Sequence, residues 1–219
     1  MLLKRAITPL ILLATSFFLS SPATSEIIRF DKNWVEQGFF RLWSNDYGLN
    51  NSTLDVGSDG TVSLLYRRAP KSIWGAKTAS WNWAVTETVT ATDLTKKGGD
   101  DRNLAIYFVF VDPDSAKKLS RASARKLLTN PNTRALVYVW GGDYPRNQVL
   151  FSPYGPKTLK TVARRKAGTG SFSESVDLAK DFKRAFKQEI GVLIGLGITA
   201  DSDDTDGKIS ASISDLMVQ

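Results

Sequence analysis

A mostly β chain, folded as an antiparallel β-sandwich with one or two short helices, is what this sequence predicts, and three observations carry the prediction. Short runs rich in β-branched and aromatic residues alternate throughout with Gly, Asn, Asp and Pro turns. Only two stretches show helical spacing. Several strands, among them "LAIYFVFV", "ALVYVW" and "IGVLIGLGI", are apolar on both alternating faces, as strands covered from both sides are.

Residues 1–25 read as a secretory signal peptide. Lys4 and Arg5 precede an apolar run from Ala6 to Leu19, and small residues stand at Ala23 and Ser25. That run is shorter than the ~18 apolar residues of a membrane helix, and no later stretch reaches this length. The expectation is an exported protein, periplasmic or secreted, without a transmembrane segment and without a nucleic-acid partner. There is no cysteine, so neither disulfides nor a lipid anchor on a cysteine support it. The remaining 26–219 suit a single domain. With Lys4 and Arg5 gone, 27 basic residues face 22 acidic ones, a modest charge of +5.

Strands are expected over 27–30, 53–56, 61–67, 78–85, 104–111, 135–140, 149–152, 158–163, 190–199 and 209–218. Asp59-Gly60 reads as a tight hairpin between the second and third. A basic helical insertion is expected over 114–130, ending before Pro131, with Ala116, Leu119 and Leu127 on its apolar seam. The second helix is expected within "SFSESVDLAKDFKRAFK". There Ser171 and Glu174 have the spacing of a capping box, and Val176, Ala179, Phe182 and Phe186 share one face.

Candidate functional residues fall into two groups. Four carboxylates crowd "ITADSDDTDGK", and like charges this close need a cation, a hydrogen-bonded turn or full solvation. An EF-hand is excluded, because counting from Asp201 puts Asp206 where its glycine belongs and Ser212 where its glutamate belongs. Two readings stand: a solvated turn, or a structural calcium site in which Asp201 and Asp203 converge with Asp100, Asp101 or Asp215. Trp81 and Trp83 share one face of their strand, and Tyr138 and Trp140 repeat the pattern. Such pairs serve as a sugar-stacking platform, with Arg102 nearby for hydroxyls, or, more commonly, as sandwich core. Gly191, Gly195 and Gly197 fall on a single strand face with Leu193 and Thr199 and mark close approach of another group, by default the helix bearing Phe182 and Phe186, with a glycan groove as the alternative.

The order of "ASWNWAV", "GGDDRNLAIYFVF", "RALVYVWG", "DFKRAFK", "ITADSDDTDG" and "ISASISDLMV" resembles the bacterial family known as domain of unknown function 3047, over roughly residues 50–219. Asp201, Asp203 and Thr205 fit the family's acidic loop. The final strand also looks like the closing strand of carbohydrate-binding jelly rolls, where an aspartate at the position of Asp215 helps hold a structural calcium. The resemblance thus implies a jelly-roll-like sandwich and a calcium ion.

No histidine is present, which removes Ser-His-Asp and Cys-His catalysis and the usual zinc sites. The reading is a non-catalytic module binding a glycan or envelope polysaccharide. Two alternatives remain: a lyase or hydrolase acting on an acidic polysaccharide, and an electrostatic binder of acidic surfaces. The latter would use Lys117, Lys118, Arg121, Arg125 and Lys126 with Arg164, Arg165 and Lys166.

Overall fold

The computed structural model describes residues 25–219. The leader expected over 1–25 lies outside the described residues, apart from Ser25. Two β-sheets stack face to face. The first contains β1 (Glu26–Ile27), β3 (Asp46–Asn50), β4 (Thr53–Asp59), β6 (Thr78–Glu87), β11 (Gly170–Asp177) and β13 (Lys208–Val218). Its order is β11-β6-β13-β4-β3, with β1 pairing the end of β13 beyond β4. In the second, β2 (Val35–Gly38), β5 (Ser63–Arg68), β12 (Val192–Asp201), β7 (Arg102–Val111), β8 (Arg134–Trp140), β10 (Leu159–Arg165) and β9 (Val149–Phe151) lie side by side in that order. The chain passes repeatedly from one sheet to the other, in the manner of a jelly roll. Pairing is antiparallel except that β10 runs parallel to β8, the one departure from the antiparallel expectation among the described strands.

All ten expected strands are present, with β1 shorter than its forecast run. β2, β3 and β11 went unforeseen. β11 replaces the first half of the expected second helix, which begins only at α3 (Leu178–Phe186), capped by the Asp177 side chain on Lys180 N–H. The Ser171/Glu174 spacing is therefore no capping box. Its segment pairs with β6, and strand alternation buries Glu174 and Val176 while Ser173 and Ser175 face outward. Nor is Asp59-Gly60 a hairpin: Gly60 turns at φ +62°, and the chain crosses from the first sheet to the second.

Alternate residues of both sheets meet between them. Leu54, Val56, Ile209 and Ile213 from one face Leu65, Ile106, Phe110 and Ile198 from the other. The expectation that the central strands are covered twice holds. On the outer face of the second sheet, Val109, Val111 and Ala135 lie under α1 (Pro113–Leu119) and α2 (Ala124–Thr129), which press down Ala116, Leu119, Ala124 and Leu127. The basic insertion is thus a lid over half of one sheet face. The other half of that face is open.

Candidate functional site

The open half is shaped by an irregularity in the β7/β12 pairing. Their register slips by one residue between Thr199 and Asp201, and Arg102 comes opposite Asp201. This turns Arg102 onto the face that carries Tyr107 although the two are five positions apart. The Arg102 guanidinium lies 3.1 Å from Asp100 Oδ2 and 2.9 Å from Asp201 Oδ2, and it donates to the Tyr107 hydroxyl at 3.2 Å.

Asp101, fully buried, ties this strand start to the acidic loop. Its carboxylate accepts from Asp204 N–H at 3.3 Å, Thr205 N–H at 2.8 Å and the Thr205 hydroxyl at 2.5 Å. One carboxylate oxygen each from Asp101, Asp201 and Asp203 falls within 4.8 Å of the other two. Strand alternation would have sent Asp100 and Asp101 to opposite sides. They precede β7, in the turn that Gly98 makes at φ +70°, so alternation does not govern them.

The electrostatics follow from burial. Asp201 is pushed up to about 9, first by loss of solvent and then by the adjoining Asp203 and by Asp100, with Arg102 opposing. For Arg102 burial works against the charge, and Tyr107, Asp201 and Asp100 outweigh it, raising its pKa. Burial raises Tyr107, and it raises Tyr154 to about 12 with help from Asp100, to which the Tyr154 hydroxyl donates at 3.1 Å.

These groups form one end of a cleft of about 390 Å³. Tyr107, Val137, Val139, Thr161 and Thr199 pave its floor, and Phe39, Leu42, Leu128 and Tyr154 stand around it. Tyr154 is 65 % exposed, and the neighbouring Phe40 and Trp43 are 86 % and 80 % exposed. Gly195 and Gly197 of β12 make room for side chains of the neighbouring strands, Tyr66 over the first and Leu64 and Tyr107 over the second, and neither lines the cleft itself. A Cβ on Gly195 would lie 2.5 Å from the Tyr66 hydroxyl, and one on Gly197 would lie 3.3 Å from Tyr107 Cβ. The expected helix is not what approaches them. A bulge between Leu193 and Gly195 turns Leu193 inward, while Phe182 packs in the core between the sheets.

The tryptophan and tyrosine platform requires correction. Trp81, Trp83, Tyr138 and Trp140 are 2 %, 1 %, 0 % and 1 % exposed, so no ligand reaches them. Their shared face is the inner one. Trp81 meets Trp83 and Tyr138 at ring separations of 5.4 and 5.6 Å, and Trp83 meets Trp140 at 5.5 Å. Asp215 also drops out of the acidic group. It stands in the first sheet, where its carboxylate accepts from Asn82 at 2.9 Å and Ser214 at 3.2 Å. Arg102, Asp100, Asp101, Asp201 and Asp203 do come together.

Sequence reasoning missed Phe39, Leu42 and Tyr154. "FFRLW" was legible as an apolar cluster between Gly38 and the polar Ser44-Asn45, too irregular for a strand. Large apolar residues in a loop need something to cover them. The basic surface also divides: Arg164 and Arg165 are spent on Glu174 and Lys166 on Asp143, leaving the lysines of α1 and α2 separate.

Comparison with known proteins places the family described as "Protein of unknown function (DUF3047)" on residues 32–217. No curated protein sequence matches the chain. Similar solved structures include the xyloglucanase domain of NopAA, a type three effector from Sinorhizobium fredii, in complex with cellobiose. It is 13 % identical, with 91 % of this chain and 98 % of that one covered at a TM-score of 0.48. The family 11 carbohydrate-binding module of a Clostridium thermocellum cellulase is 6 % identical, covering 90 % and 95 % at 0.45. A family 29 carbohydrate-binding module from Piromyces equi is 10 % identical, covering 90 % and 91 % at 0.33.

Proposed function

The chain belongs to the DUF3047 family, and we propose that it is an exported, non-catalytic module that binds a neutral glycan in the cleft of its second sheet. The observation that carries this reading is the cleft's composition: exposed aromatic and apolar side chains on the rim, with Asp100, Arg102, Asp203, Thr161 and Tyr107 below them. Pyranose rings offer apolar faces for the rim, and their hydroxyls both donate and accept, matching a floor of carboxylates, guanidinium and hydroxyls. Export rests on the amino-terminal pattern of residues 1–25. No helix among the described residues is long and apolar enough to cross a membrane.

The charge of the site argues for a neutral ligand. Asp100 and Asp201 pair with a single guanidinium, Asp101, Asp203 and Asp204 lie close by, and burial with neighbouring carboxylates already raises Asp201 and Asp204. An acidic polysaccharide would add to that repulsion.

Titrating neutral β-glucan, xylan and mannan oligosaccharides into the protein tests the reading. Phe39→Ala and Tyr154→Ala are each expected to weaken binding roughly tenfold or more, as loss of an aromatic anchor does. Phe151→Ala is the control, because that exposed ring lies outside the cleft, beneath the Lys160 ammonium at 3.6 Å. Equal affinities for all four proteins would place the ligand elsewhere.

A further inference from the structure

We infer that Asp101, Asp201 and Asp203 form a binding site for a divalent cation of the calcium type at the acidic end of the cleft. Their converging oxygens, within 4.8 Å of one another, are close enough for a single ion to bind all three. A cluster of carboxylates alone would be ordinary surface chemistry. Here one member is unsatisfied: Asp201 is 6 % exposed, its Oδ2 is taken by Arg102 at 2.9 Å, and its Oδ1 is buried without any hydrogen-bond partner. The Asp203 carboxyl is its neighbour, with an oxygen within 4.8 Å of one of Asp201's.

Carboxylates whose oxygens lie within 4.8 Å of one another repel when charged, with nothing between them. A cation resolves this and satisfies the buried oxygen. Asp101 can take part while keeping its hydrogen bonds to Asp204 and Thr205, since each carboxylate oxygen has two lone pairs. The donors are all oxygen, which suits calcium, and the remaining positions of its six to eight open onto the cleft. Arg102 does not displace the ion, because its bonds run to Asp100 Oδ2 and Asp201 Oδ2. The ion would lock the loop 202–207 onto the start of β7, and Asp215 takes no part.

An ion here would offset part of the carboxylate charge at that end of the cleft, and the test uses calcium chloride alone, with no sugar present, so that its failure is distinguishable from failure of the glycan reading. Calorimetric titration of the chelator-treated protein should show one site. At a hundredfold excess over Kd, the melting temperature should rise by roughly 5 to 10 °C. Asp203→Asn is the informative variant, because Asp203 is half-exposed and anchors no backbone group. It should weaken calcium binding roughly tenfold or more, whereas Asp215→Asn should leave it unchanged. Asp101→Asn would also loosen the Thr205 anchor, so it is not the deciding variant. Absence of calcium binding to the unaltered protein overturns the inference, as does undiminished binding to Asp203→Asn. A melting temperature that responds to pH but not to calcium likewise overturns it, assigning a shared proton to the Asp201 and Asp203 contact.

Discussion

Glu174 shows how much one residue can hold. Its side chain is completely buried at the rim between the sheets and receives Arg146 at 2.6 Å, Arg164 at 2.5 Å and Arg165 at 2.8 Å. It therefore fastens β11 of the first sheet to the end of β10 in the second. Burial opposes its charge, but hydrogen bonds from Arg146 and Arg164 dominate and lower its pKa. With the folded pKa below the unfolded one, the stabilisation is complete above about pH 5 and is lost as pH falls through the folded value. Glu174→Gln leaves three arginines without their counter-charge and is expected to cost about 3–5 kcal/mol at neutral pH. Thermal unfolding from pH 7 to pH 3 checks this: the gap between the unaltered protein and the variant should narrow at the acid end. The same residue shows why sequence reading failed locally. Ser171 and Glu174 have the spacing of a helix cap, but pairing of β11 with β6 fixes an extended chain that spacing alone does not reveal.

At the scale of elements, what the sequence disclosed depended on periodicity. Strands with strong β-rich runs, such as β7 and β13, were evident. β2 and β3 were not, because "VEQG" and "DYGLN" lie at sheet edges and lack a buried alternating face. The acidic loop and "GGDDRN" were identifiable as functional candidates, but the register slip that gathers them around Arg102 is a property of pairing between strands distant in sequence. Trp81 and Trp83 showed their shared face plainly; which face pointed inward depended on the second sheet. The helical insertion was legible in location and apolar seam, but not its break into α1 and α2 at residues 120–123. Its role follows from packing, and truncation tests it: Leu127, 1 % exposed, should cost about 2–5 kcal/mol as Leu127→Ala, measured by denaturant unfolding. Lys117→Glu with Lys118→Glu, on the solvent side of α1, should change stability by no more than about 0.5 kcal/mol.

For the whole molecule, a basic chain presents an acidic cleft. The net charge therefore describes the lysine-bearing surface of the insertion and says little about the ligand. The sandwich uses the inner faces of both sheets and half of the outer face of the second for cohesion. The remaining half, where aromatic residues line the rim, is the part not consumed by stability. The central claim is that this surface holds a neutral glycan. Backbone amide chemical-shift mapping during titration with a neutral oligosaccharide that binds, at low and high salt, tests it most directly. The account predicts shifts concentrated at Phe39, Tyr107, Tyr154, Thr161 and Thr199, with an affinity that changes less than about twofold between 50 and 500 mM salt. Shifts confined to α1 and α2, with binding lost as salt rises, would contradict it and assign recognition to the lysines of the insertion.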